Sequence, residues 1–336
     1  MQLSLAAHFN RLKRIYGTIG FLIAILIFGM VAFSVFKDVN PLELVQGIGT
    51  VGLILNLLIG IVYFLSFGIL MKVVYQHHYK RKLSWEDTFL LPFMMHLWTY
   101  ILPMKGGLIY QTFFIKAKYN LDMSKGFSVG VLVFAASLLI TCFVGGALSF
   151  LLRDALVLQL LLLFMFGTLI FFLVAGRFVS EPNPNKPGLV NSIIRFIQNV
   201  LIQFNEQVKD VNLLFKLIFV ALASTLVHAF WFYHCAFVLG YDPEPVGILL
   251  ATLVLRIVTL VRILPGNLGI QEIMIGSVFL AAGLGLQEGL ATALLVRLVS
   301  VVLAGTLGVA GLYLNFRYFE TDSLTGLITK IKRSND

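Results

Sequence analysis

Ile263-Leu264-Pro265-Gly266-Asn267-Leu268-Gly269-Ile270-Gln271-Glu272 interrupts an apolar region that runs from Val246 to Leu286. Pro265 and Gly266 do not continue a helix, and Gly269 permits a positive φ or a close backbone approach. The stretch therefore reads as a helix, a break and a new helix at membrane depth. Irregular backbone is tolerated there only where it is buried in protein or faces a wet cavity. Ile101-Leu102-Pro103-Met104-Lys105-Gly106-Gly107 breaks a second apolar run, from Thr88 to Ala117. Superposing Ile101-Leu102-Pro103 on Ile263-Leu264-Pro265 brings Gly107 onto Gly269. A full apolar span follows each break, over 126–152 and 289–313. The pattern predicts an internal repeat with one broken hairpin in each half.

Composition sets the class. Of 336 residues 59% are hydrophobic and only 12% are charged, which excludes a soluble domain and predicts an all-α polytopic membrane protein. Cys142 and Cys235 both lie inside apolar spans, so neither a disulfide framework nor a metal site is expected. The formal charge of +9 needs no nucleic acid to explain it, because the basic excess flanks the spans as orientation signals do. Residues 15–36 are too long for a signal-peptide core and read as a retained first span.

Topology follows from the loops. Arg11, Lys13 and Arg14 precede the first span, and Lys72, Lys80, Arg81 and Lys82 follow the second, 47–71. If hairpin 88–117 enters and returns on the same side, Lys116, Lys118 and Lys125 join them in the cytoplasm. Spans 126–152 and 156–176 complete the first half, 1–176. Residues 177–212 link the halves and contain an amphipathic helix, 190–208, expected on the cytoplasmic leaflet. The second half, 213–336, holds span 213–239, hairpin 246–286 and span 289–313. The loops at 240–245 and 287–288 carry no Lys or Arg and belong outside. Six full spans plus two re-entrant hairpins then form one membrane domain of inverted-topology repeats, with both termini cytoplasmic in the inner membrane. The oligomeric state stays open, a homodimer included.

The chemistry concentrates at the breaks. Arg256, Arg262, Glu272 and Arg297 lie in apolar surroundings, and Lys105 sits at the first break, with Gly106, Gly107 and Gln111 following. Ionisable residues at membrane depth are costly and are functional candidates by default. Several cations against one glutamate make the interior positive and suit an anionic ligand, phosphate above all, for which arginine forks are well shaped. Free N–H groups after Gly107 and Gly269 would add to the attraction. Structural alternatives stand beside each role: Glu272 capping its half-helix or pairing with Arg256 or Arg297, and Arg262 snorkelling to the interface. His96, His228 and His234 read first as hydrogen-bonded structural histidines, with proton relay as the alternative. No paired carboxylates, nucleophile elbow, soluble-type phosphate loop or Cys/His cluster is present, so no cofactor, metal or catalytic group is expected.

The segment Pro265-Gly266-Asn267-Leu268-Gly269-Ile270-Gln271-Glu272 resembles the Pro-x-x-(Leu/Ile)-Gly-(Val/Ile)-x-Glu motif of the lysylphosphatidylglycerol synthase/flippase transmembrane-region family, also called UPF0104. That family includes the membrane half of the multiple-peptide-resistance factor. Pro103, Lys105 and Gly107 match its first motif, where Leu108 replaces the usual Glu and Gln111 the usual Arg. The resemblance implies a flippase that moves an anionic phospholipid or lipid-linked phosphate. Because the chain stops soon after Tyr313, no aminoacyl-transfer domain is expected, and the protein reads as a transporter rather than an enzyme. A membrane-embedded transferase acting on a lipid phosphate and a small-anion transporter are the competing readings.

Overall fold

The computed structural model describes residues 41–102, 105–151, 163, 166–167, 189–259, 267–281 and 285–316. Among these residues there are helices and no strands. Ten helices can be followed: α1 (Pro41–His77), α2 (Trp85–Ile101), α3 (Gly106–Tyr119), α4 (Met123–Leu151), α5 (Leu189–Lys209), α6 (Val211–Val238), α7 (Pro245–Val258), α8 (Ile270–Ala281), α9 (Leu286–Leu303) and α10 (Val309–Phe316). A π-turn, Ala304–Gly308, joins α9 to α10 without a break in the axis. Four stretches are long and apolar enough to cross a membrane: Ile48–His77, Met123–Leu148, Val211–Val238 and Leu286–Asn315. The other two expected spans, 15–36 and 156–176, lie outside the described residues.

Both expected breaks involving described backbone are present. α2 and α3 hold 17 and 14 residues, and α7 and α8 hold 14 and 12. At about 1.5 Å per residue each is shorter than a ~30 Å hydrocarbon core. The superposition that aligns the prolines also aligns Lys105 with Asn267, and both adopt the left-handed conformation, at φ 63° and 50°. Left-handed backbone is uncommon for residues other than glycine, so its recurrence at matched positions is a structural likeness between the halves. Helix bounds run slightly beyond the expected ones, because Ser84 caps α2 through the Asp87 N–H at 3.0 Å and Asn120 ends α3 in a left-handed cap.

The long helices α1 and α6, each preceding a short pair, pack side by side in opposite directions. Gly52 lies against Val238, Asn56 Oδ1 meets His234 Nδ1 at 3.1 Å, and Gly60 lies against Trp231. Ser66 Oγ donates to Ser224 Oγ at 2.8 Å, and His77 Nε2 reaches Asp210 Oδ2 at 2.9 Å. Small residues dominate this seam because lipid supplies no hydrophobic drive between helices, and packing and hydrogen bonds must hold them. Asp210 also accepts the Leu213 N–H as the α6 cap, which with His77 holds its carboxyl below the ordinary range.

One end of the bundle gathers the end of α1, the start of α2, the end of α3, the start of α4 and the α5–α6 junction. Lys80, Arg81, Lys82, Lys116, Lys118 and Lys125 lie there. The opposite end carries Asp242, Glu244 and Glu288. At the basic end Asp87 is fully buried. Lys118 Nζ donates to its Oδ1 at 2.7 Å and to Asn315 Oδ1 at 2.8 Å, while the Tyr119 hydroxyl donates to its Oδ2. This cluster ties both arms of the α2–α3 pair to α10. Asp87 escaped the sequence reading, although Ser84-Trp85-Glu86-Asp87 carries the Ser-x-x-acid spacing of a helix start.

Candidate functional site

The two short helix pairs and the long helices enclose a cavity of about 840 Å³, of the size that receives a drug-sized molecule. Arg256, Arg297, Glu272, Lys105, Gly107 and Gln111 line it, so most of the expected site residues converge. Its walls are otherwise largely aromatic and aliphatic. Gly106 is instead buried against Trp98 and Leu102, and Asn267 is buried with its Nδ2 donating to the Val258 carbonyl at 3.2 Å. Arg262, Pro265 and Gly266 lie outside the described residues.

Glu272 both caps and pairs. Its Oε2 accepts the Gly269 N–H at 2.8 Å, a bond that the positive φ of Gly269, 82°, helps to place. Its Oε1 accepts from Arg297 Nε at 2.8 Å and lies 2.8 Å from Nη2. Arg297 Nη2 also donates to Gln271 Oε1, and the guanidinium stands 5.7 Å from the centroid of the Tyr100 ring. The structure therefore gives Glu272 to Arg297 and not to Arg256. Both partners are almost fully buried. Such a pair is a costly arrangement stabilised by its completeness, not a free charge.

Arg256 is different. It lies in the last turn of α7, and its Nε and Nη2 are buried without a hydrogen-bond partner among the described residues. Thr259 Oγ1 donates to the Arg256 carbonyl at 2.8 Å. Two buried guanidinium nitrogens without acceptors among the described residues are a strong departure from the rule that buried charges are paired. Lys105 at the other break lies 4.2 Å from the Phe134 ring centroid.

Aromatic and imidazole groups complete the wall. His228 on α6 is 5% exposed, stacks on Tyr63 with centroids 4.2 Å apart, and leaves Nδ1 without a partner among the described residues. His96 meets the Tyr100 hydroxyl at 3.2 Å, joining the α2 wall to the Arg297 end. The four-residue spacing of His96 and Tyr100 on one helix face was the sequence signal for this pair.

Depth is matched across elements. His96, Arg256 and Arg297 each stand eleven residues into their helices, from Trp85, Pro245 and Leu286. His228 stands ten residues before Val238, where α6 ends. At about 1.5 Å per residue these are ~15–17 Å from the helix ends, half of a ~30 Å hydrocarbon core.

The floor at the basic end is α5. Its amphipathic pattern was legible, but Phe196, Val200 and Phe204 face the cavity, with Phe196 edge-on to Phe127 at 5.6 Å. Gln207 is fully buried and donates to Tyr79 Oη at 2.7 Å and Ser128 Oγ at 3.0 Å. Part of the face expected to rest on lipid thus packs on protein.

These features define a multi-pass helical membrane protein in which two interrupted helix pairs and the long spans surround one largely apolar cavity with buried cations. The chain belongs to the family described as the lysylphosphatidylglycerol synthase TM region, which it matches over residues 19–308. Comparison with curated proteins finds no match.

Proposed function

We propose that the protein is a flippase: it carries an anionic phospholipid or a lipid-linked phosphate across the inner membrane, with the head group passing through the cavity. The observation that carries this reading is Arg256, whose Nε and Nη2 are buried at the cavity wall without a partner among the described residues. An anionic head group would supply the missing acceptors, and a guanidinium is suited to phosphate oxygens.

The architecture supports it. In this reading α2–α3 and α7–α8 are re-entrant hairpins in a six-span inverted repeat. The antiparallel seam of α1 and α6 makes them enter from opposite faces, with the matched cavity residues near the midplane. The basic end lies in the cytoplasm together with both termini, and the acidic end lies outside.

Translocation of fluorescent phosphatidylglycerol in proteoliposomes tests the reading. Wild-type protein is expected to move label between leaflets faster than empty vesicles, and the Arg256→Gln protein is not. Equal rates for wild type and empty vesicles, repeated with a polyprenyl phosphate, would overturn it.

A further inference from the structure

Two groups with nitrogens unpartnered among the described residues line the same part of the cavity. Arg256 on α7 presents Nε and Nη2, and His228 on α6 presents Nδ1. Both line the cavity, and α6 packs directly on α7. The charged and titratable groups acting on this pair from the surrounding helices are Tyr63 of α1 and His96 of α2. Neither is a fixed cation. Arg297 is matched by Glu272, and Lys105 stands against Phe134 on α4. This end of the cavity therefore holds one fixed positive charge beside one imidazole edge.

We propose that His228 is the second ligand-contacting residue of the head-group site, and that Arg256 and His228 together select a phosphodiester monoanion. The proposal rests on the flippase reading and names its substrate class. Three features carry it. The imidazole is buried, so an edge nitrogen without a partner costs free energy unless a ligand provides one. Stacking on Tyr63 fixes the ring plane and aims that edge, as a positioned donor requires. Finally, one guanidinium in low dielectric balances one negative charge. A phosphomonoester carries about 1.5–2 charges at neutral pH and would be left partly uncompensated. Toward an anionic oxygen Nδ1 presents its N–H, and Nε2 then carries the lone pair.

Isothermal titration of the purified full chain in detergent tests this with three probes: short-chain phosphatidylglycerol, short-chain phosphatidic acid and inorganic phosphate. Three variants accompany the wild type. His228→Phe keeps a ring to stack on Tyr63 and removes the donor. His228→Asn keeps a donor near the Nδ1 position and removes the ring. Arg256→Gln removes the charge. Wild type is expected to bind phosphatidylglycerol more tightly than either of the other probes. His228→Phe should weaken that binding about tenfold or more, the usual effect of losing a hydrogen bond to a charged group. His228→Asn should recover most of the loss.

Phosphatidylglycerol binding left intact by His228→Phe and abolished by Arg256→Gln would overturn the role of His228 alone. Phosphatidic acid or inorganic phosphate binding as tightly as phosphatidylglycerol would overturn the selectivity. No binding of any probe by wild type would overturn this inference, while the flippase reading stands or falls on the proteoliposome rates. If His228→Phe does not fold, a His228→Asn protein with wild-type affinity still supports the donor, and one that binds like Arg256→Gln overturns it.

Discussion

Arg297 and Glu272 close on each other: Nε and Nη2 of the arginine both stand 2.8 Å from the same carboxylate oxygen, and the other oxygen caps α8 through Gly269. Neither side chain keeps its charge available to a visitor. Removing one partner leaves a buried ion without its counter-charge, at a cost of about 3–5 kcal/mol. Arg297→Gln and Glu272→Gln are each expected to lower the melting temperature sharply, and the double variant to recover much of the loss. Thermal unfolding in detergent measures it; additive losses in the double variant would refute the pairing argument.

Arg256 should behave in the opposite way. Because Nε and Nη2 of its guanidinium have no acceptor among the described residues, Arg256→Gln is expected to keep or raise stability while abolishing lipid translocation. Arg256→Lys should restore only part of the transport, since the charge survives but the planar fork does not. Melting curves and proteoliposome rates on the same preparations separate the two effects. A stable, active Arg256→Gln protein would move the site to Lys105, another cation on the cavity wall.

Asp87 is predicted to be structural. With Lys118, Tyr119 and Asn315 around it, Asp87→Asn removes the charge that balances the 13%-exposed ammonium of Lys118. A loss of about 3–5 kcal/mol is expected, by the same logic of an uncompensated buried charge. Asp87→Asn combined with Lys118→Met should recover part of it. The readout is thermal stability, and an unchanged melting temperature in Asp87→Asn would show that the cluster contributes little.

Topology is checked by single cysteines. Cys142 and Cys235 are buried, so the background reactivity of the chain is expected to be low. Cysteines at Glu244 and Glu288 should react with an impermeant thiol reagent added outside intact cells, and those at Gln76 and Asn120 should react only after permeabilisation. Labelling at Asn120 from outside would mean that α2 and α3 cross completely.

The breaks were legible because proline and glycine act locally: α2 ends and α3 begins within Ile101–Gly107, and the positive φ of Gly269 stands just before α8. The candidate cations were legible because charge stands out in an apolar run. What a local pattern does not carry is rotation. Whether Glu272 takes Arg256 or Arg297 depends on how α8 is turned against α7 and α9, and both partners fit the sequence equally well. Asp87 was missed because a helix-start acid looks the same whether it ends in solvent or under α10. The amphipathic stripe of α5 showed that one face is covered, but aliphatic side chains pack alike on lipid and on a cavity, so the cover was not encoded in the stripe.

The π-turn at Ala304–Gly308 bears on both polar clusters at once. Arg297 and Asn315 stand eighteen residues apart, which is five whole turns of an ideal α-helix at 3.6 residues each, and would face the same way. Instead Arg297 reaches Glu272 and Asn315 reaches Lys118. A π-turn takes up about one extra residue and so rotates everything after it by about 100° relative to that ideal. It works as a phase shifter on a single shaft, letting one helix point its inner arginine at one broken pair and its terminal asparagine at the base of the other. Deleting one residue within 304–308 would straighten the helix to ordinary α-geometry with seventeen steps between the two side chains, and seventeen α-steps of about 100° each give the same relative direction that the turn now provides. The Arg297 and Asn315 contacts would then both stay in place, whereas forcing all eighteen residues into α-geometry would swing Asn315 about 100° away from Lys118.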